Sequence, residues 1–111
     1  MKKIFLKDYI NNEIVLSGRD KGEKIRNKIK IDLYDADSNV YQIVVPNFVR
    51  TWNPSHFLGI FSRSIKKLGL DQFEEKYKFI SDTQDEKLKK TIEDDLKEGV
   101  EWALDESEIL P

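Results

Sequence analysis

The chain of 111 residues has no cysteine, one histidine, three prolines and one methionine. Without cysteine there is no disulfide, no thiolate metal ligand and no cysteine nucleophile. A single histidine, His56, excludes a histidine-based metal cluster and any two-histidine mechanism. Long apolar runs are also missing, and none approaches the roughly 18 residues of a membrane-spanning helix. The opening MKKIFLKDYI has too few consecutive apolar residues for a signal peptide and reads as a first strand. A cytoplasmic chain with no membrane association is therefore expected. Its 39% apolar and 36% charged residues suffice for one modest core and a well-solvated surface.

The net charge of −2 conceals an imbalance: residues 1–70 carry 13 Lys and Arg against 7 Asp and Glu, residues 71–111 carry 6 against 14. The basic half could draw an anionic partner, but a solvated surface of mixed sign is the simpler reading. Nucleic acid is an unlikely partner, because the chain is acidic overall and its basic side chains are not interleaved with aromatics.

Periodicity organises the chain as β(β)–α–β–α–β–α, an α/β layer with parallel neighbours expected. Lys3–Ile10 reads as an edge strand, and Asn11-Asn12 as a turn. Ile14–Leu16 is either a second strand of a hairpin or a buried lead into a helix that Ser17 or Asp20 would cap. In that helix Ile25 and Ile29 form the core stripe, with Lys24, Arg26 and Lys28 outward. Tyr34–Asn39 reads as a loop. Asp32, Asp35 and Asp37 have spacing faintly like a calcium loop, but its glycine and terminal glutamate are absent, so solvated acids are expected.

Val40–Phe48 is the strongest strand signal, and its continuity implies burial on both faces with pairing weakening at Pro46. The loop 49–54 leads into a helix over 55–68, closed by Gly69. A polar connection with a turn at Phe73 follows, then a strand at Tyr77–Ile80. The last helix is expected from Asp85 to about Leu104, with Gly99 weakening its interior by up to about 1 kcal/mol and Trp102 packed in the core. Residues 1–104 form one domain on this reading, and 105–111 a frayed acidic tail.

Two stretches of this order have chemical potential. Gly18, Arg19 and Gly22 at a helix start could offer backbone N–H groups to an anion, although the spacing is neither a Walker loop nor a dinucleotide fingerprint. Arg50, Trp52, Asn53, Ser55 and His56 cluster before and at the start of the next helix. Arginine and exposed tryptophan are interface anchors, whereas a Trp52 folded back over the sheet would be core. Ser55 and His56 are adjacent, and adjacent helical residues do not face one another, so a catalytic dyad is geometrically poor.

Together the segment Leu16–Arg26, the strand Ile43–Phe48 leading to Pro54-Ser55-His56-Phe57-Leu58-Gly59-Ile60-Phe61, and the run from Leu68-Gly69 through Gln72-Phe73 to Tyr77–Ile80 and the last helix resemble the STAS-like domain family. These are small bacterial relatives of the sulfate-transporter and anti-sigma-factor-antagonist domain. The resemblance covers about residues 14–104 and rests on order and spacing. It implies a small sheet with helices packed against it and a non-catalytic regulatory module without a cofactor. It further implies a protein partner such as an anti-sigma-type kinase or ATPase, with Ser55 as the matching phosphorylation position. Relatives often carry an Asp at the strand end and small hydroxylic residues in the loop. Here Val45-Pro46-Asn47-Phe48 and Arg50, Trp52 and Asn53 stand there, and Ser55 as a simple helix cap is the alternative. Two other readings are a small effector from a mobile element that blocks a host protein by binding, and a nucleotide-binding protein using Gly18–Gly22.

Overall fold

The computed structural model describes residues 1–109. Lys2–Phe5 forms β1, and a 3₁₀ turn at Leu6–Asp8 ends it earlier than the expected strand to Ile10. Val15–Leu16 (β2) leads into α1 (Arg19–Ile29) and α2 (Ile31–Ala36). Tyr41–Val45 (β3) stops at Pro46, whose missing N–H ends regular pairing. Thr51–Trp52 (β4), α3 (Pro54–Leu68) and α4 (Leu70–Lys76) follow. The chain then runs through β5 (Tyr77–Ser81) into α5 (Glu86–Ile109).

The fold is α/β, as the alternation of strand and helix patterns implies. The main sheet has three parallel strands in the order β1-β3-β5, and β2 pairs in parallel with β4 in a separate two-stranded sheet. Residues 14–16 are therefore no hairpin partner of β1. Each step of the main sheet moves the same way, so right-handed crossovers place the helices on one face. The packing agrees: Ile4, Tyr41, Ile43, Val45 and Tyr77 belong to the core. Phe61 of α3 meets Tyr77 and Phe79 at 5.5 and 5.3 Å between ring centres.

The alternate residues of the same strands face away from the helices, and β3 is buried on both sides as expected, apart from half-buried Gln42, but without helices on the second side. Phe5 and Ile80 on the two edge strands are 39% and 47% exposed, while Val44 between them is only 9% exposed. Neighbouring side chains shield the central strand, so its sequence imitates a strand covered on both faces.

Other differences have local causes. Tyr34 and Asp35 lie in α2, which starts directly after α1 because Lys30 adopts a left-handed conformation at φ 71°. Arg26 is buried, because it shares the stripe of Gly22, Ile25 and Ile29. No side chain caps α1, so neither Ser17 nor Asp20 has that role, whereas Asp85 does accept the N–H groups of Lys87 and Leu88. Helix α5 continues through the expected acidic tail to Ile109; the tail's last two residues, 110 and 111, lie outside the described ones. Trp102 is 49% exposed instead of core, and the ring of Phe57 packs where a side chain on Gly99 would stand. That contact explains a glycine inside a long helix.

Candidate functional site

The β2–β4 pair sets two helix starts side by side. Val15 and Leu16 pair with Thr51 and Trp52, and each short strand turns directly into a helix. Backbone bonds from Arg50 N–H to Ile14 O (2.7 Å) and from Asn53 N–H to Leu16 O (2.8 Å) lock the strands together. Gly18, at φ 94°, takes a conformation that favours glycine and donates its N–H to Ser55 Oγ at 3.3 Å. Ser55 is thus the second residue of α3 and ties that helix to the start of α1. Asn53, not Ser55, occupies the cap position, and no side chain caps there.

Below this junction α1 and α3 cross in direct backbone contact. A Cβ on Gly59 would stand 2.2 Å from Arg19 O, and one on Gly22 would stand 2.2 Å from His56 O. The Gly22 N–H bonds Gly18 O at 3.1 Å. Gly22 therefore serves helix packing and is not an anion donor. Arg19 is also engaged: its Nη1 and Nη2 donate to the Glu106 carboxylate of α5 at 2.9 and 2.6 Å, and Nη2 donates to Ser62 Oγ at 3.4 Å. Of the anion cradle expected at residues 18–22, the Gly18 and Gly22 N–H groups are in use within the fold, and the Arg19 guanidinium is paired with Glu106 at the surface.

The proposed partner-binding cluster divides by exposure. Arg50 and Asn53 are exposed and Ser55 is half-buried. Trp52 and His56 are both 1% exposed, so they are corrected from interface residues to core. The Trp52 ring packs edge-on against Phe57 and Phe79, its Nε1–H donates to His56 Nδ1 at 2.9 Å, and its backbone N–H donates to Asp95 Oδ2 at 2.8 Å. Burial pushes the His56 pKa down to about 4, with Glu13 raising it and Lys21 lowering it by smaller amounts. His56 is therefore neutral at pH 7. Its Nδ1 lone pair is taken by Trp52 and its neighbour Ser55 is bonded to Gly18, so the pair forms no dyad.

A second polar centre went unread in the sequence. Arg26, 2% exposed, donates from Nη1 to Ile60 O (2.5 Å) and Ser64 Oγ (2.8 Å). Its Nη2 reaches Asp35 Oδ2 (2.9 Å) and Asp32 Oδ1 (2.6 Å). Ser64 and Tyr77 hydroxyls donate to the same Asp35 carboxylate at 2.8 and 2.6 Å. Burial first, and then the bond to Asp35, raise the Tyr77 pKa well above its usual value. The hydrogen bond and charge of Arg26 lower that of Asp32. The signal was present: Arg26 falls at i+4 from Gly22 and i+1 from Ile25, on the apolar stripe rather than opposite it.

Nearby, Lys76 Nζ donates to Asp37 Oδ1 at 2.8 Å and to the carbonyls of Asp37 and Asn39 at 2.7 and 3.0 Å. Tyr41 also donates to Asp37. These bonds outweigh desolvation and lower the Asp37 pKa. Asp32, Asp35 and Asp37 thus serve Arg26 and Lys76, and no group of three metal-ligating side chains occurs among the described residues.

No described helix is long and apolar enough to cross a membrane. Comparison with known proteins finds no matching family model, no matching curated protein and no matching solved structure.

Proposed function

We propose that the chain is a non-catalytic regulatory module of the STAS-like kind that acts in the cytoplasm and binds a protein partner, such as an anti-sigma-type kinase or ATPase, under the control of Ser55 phosphorylation. The observation that carries this reading is the Ser55–Gly18 contact, which makes one half-buried hydroxyl the link between two helix starts. A phosphate of about −2 at this point would sit at the positive ends of two helices. It would also compete with Glu106 for Arg19, so that a local charge is passed to α5. Exposed Arg50 and Asn53 flank the position and supply contacts whose environment changes with that charge.

The test is co-expression with the genes adjacent to its own, followed by mass spectrometry of the peptide that spans Ser55 and of any co-purifying protein. A phosphoryl group on Ser55, and a partner that distinguishes Ser55→Asp from Ser55→Ala, are expected. Equal binding of that partner by both variants overturns the switch, and absence of a co-purifying partner overturns the module.

A further inference from the structure

The face of the main sheet that carries no helix has a pattern of its own. Alternation places Lys3 and Phe5 of β1, Gln42 and Val44 of β3, and Lys78 and Ile80 of β5 on it. The register aligns them in two rows across the strands, Lys3–Gln42–Lys78 and Phe5–Val44–Ile80. Met1 and Val40 extend the face at its start, where Lys2 N–H bonds Val40 O at 2.9 Å. Four of the eight large apolar side chains that are exposed among the described residues, Met1, Phe5, Val40 and Ile80, therefore collect on this one face.

Three properties narrow what covers it. All-parallel sheets occur almost only with both faces covered, and the cover is helical. Lys3 and Lys78 on the edge strands are exposed while Gln42 between them is half-buried, so the two lysines flank the central strand. The two lysine-bearing strands lie about 10 Å apart, roughly the diameter of a helix. Finally, the three strands contain lysines and no carboxylate, and Lys7 Nζ lies 5.8 Å from the Phe5 ring centre, which adds a further positive charge.

We propose that this open face docks an acidic amphipathic helix of a partner protein, laid along β3 with its apolar stripe on Val40 and Val44 and its carboxylates on both flanks meeting Lys3 and Lys78. A second copy of the chain fits less well. Stacking two such faces brings lysine-bearing surfaces together with no carboxylate on either to offset them. The surface uses none of the residues of the Ser55 junction, so the proposal stands whether or not Ser55 is phosphorylated.

The probe is a synthetic helix of about four turns with leucines at i, i+3, i+4 and i+7 and glutamates flanking them, compared with the same helix flanked by lysines. Binding is followed by fluorescence anisotropy and by backbone amide shifts in the full chain. Saturable binding of the glutamate form, with shifts confined to β1, β3 and β5, is expected. Lys3→Glu and Lys78→Glu, both at exposed positions, should each weaken it about tenfold, and Ile80→Ser should weaken it with an unchanged thermal melt. Equal binding of both peptides, shifts elsewhere, or no binding at millimolar peptide overturns the proposal. So does self-association in sedimentation that Ile80→Ser abolishes, or binding to phosphatidylserine vesicles in preference to the acidic peptide.

Discussion

Arg19 and Arg26 stand seven residues apart on the same side of α1, and α3 meets each with a serine. Arg19 has Ser62 and the carboxylate of Glu106, and Arg26 has Ser64 and the carboxylate of Asp35. The distances are similar, but the surroundings are not. Side-chain exposure is 43% and 33% for Arg19 and Glu106, and 3% and 0% for Arg26 and Asp35. Between the pairs, Gly22 and Gly59 bring the two helices into backbone contact. What separates the two ends is water. Around Arg26 every donor is matched within the protein, because an unmatched buried charge is costly, and Asp32 alone among its carboxylate partners reaches water. Around Arg19 water shares the charge, so the contact can be exchanged for another one. The sealed end holds the helix pair together, and the wet end, beside Ser55, is where a partner or a phosphate can act.

The largest test removes the sealed arginine. Arg26→Ala leaves Asp35 buried without its cation and should cost about 3–5 kcal/mol, read as a lower midpoint in urea unfolding. Arg26→Lys should recover only part of this, since one ammonium cannot reach Ile60 O, Ser64, Asp32 and Asp35 together. A loss under about 1 kcal/mol would mean that the cluster relaxes or hydrates, and the contrast with Arg19 would collapse.

A second test uses pH near the wet end, through the buried imidazole of His56. The folded state holds it neutral down to about pH 4, whereas its ordinary value is 6.5. Between these values the unfolded chain binds the additional proton, so stability falls as pH drops from 6.5 and levels off below about 4. The full difference corresponds to about 3 kcal/mol. Equilibrium unfolding across pH 4–7 should show this slope in the native chain and not in His56→Gln. Carboxylates whose pKa values are lowered, such as Asp32 and Glu106, begin to lose their contribution only below about pH 5, so the slope above that pH belongs to the histidine.

The layered α/β order was legible because three apolar strands alternate with helices of clear period, and the start of α3 was placed to within one residue by Pro54-Ser55. The β2–β4 pair was not, since two-residue strands carry no periodicity and their pairing joins residues far apart in the chain. The open sheet face was hidden by β3, whose flanks are shielded by its own neighbours. At the site, sequence located Ser55, Arg50 and Asn53 near one another but could not tell that Trp52 turns inward. Its burial depends on Phe57, Phe79 and Asp95, brought there by three different elements. Arg26 is a different case, because its place on the apolar stripe was readable while its partners on α2 and α3 were not.

The smallest effect belongs to the Arg19–Glu106 pair. An ion pair this exposed contributes only about 0.2–1 kcal/mol, and a double-mutant cycle with Arg19→Ala and Glu106→Ala should return a coupling in that range. Screening sharpens the comparison: in about 1 M salt the Debye length falls to about 3 Å, so the coupling should fade there, while the loss caused by Arg26→Ala should remain. The hydrogen bond from Arg19 lowers the Glu106 pKa, so the same coupling should disappear on acidification as Glu106 takes up a proton. A coupling as large as the Arg26 effect, or one indifferent to salt, would show that α5 seals this end as firmly as α2 seals the other. Arg19 would then be unavailable to a phosphate on Ser55, and the wet end would be structural like its counterpart.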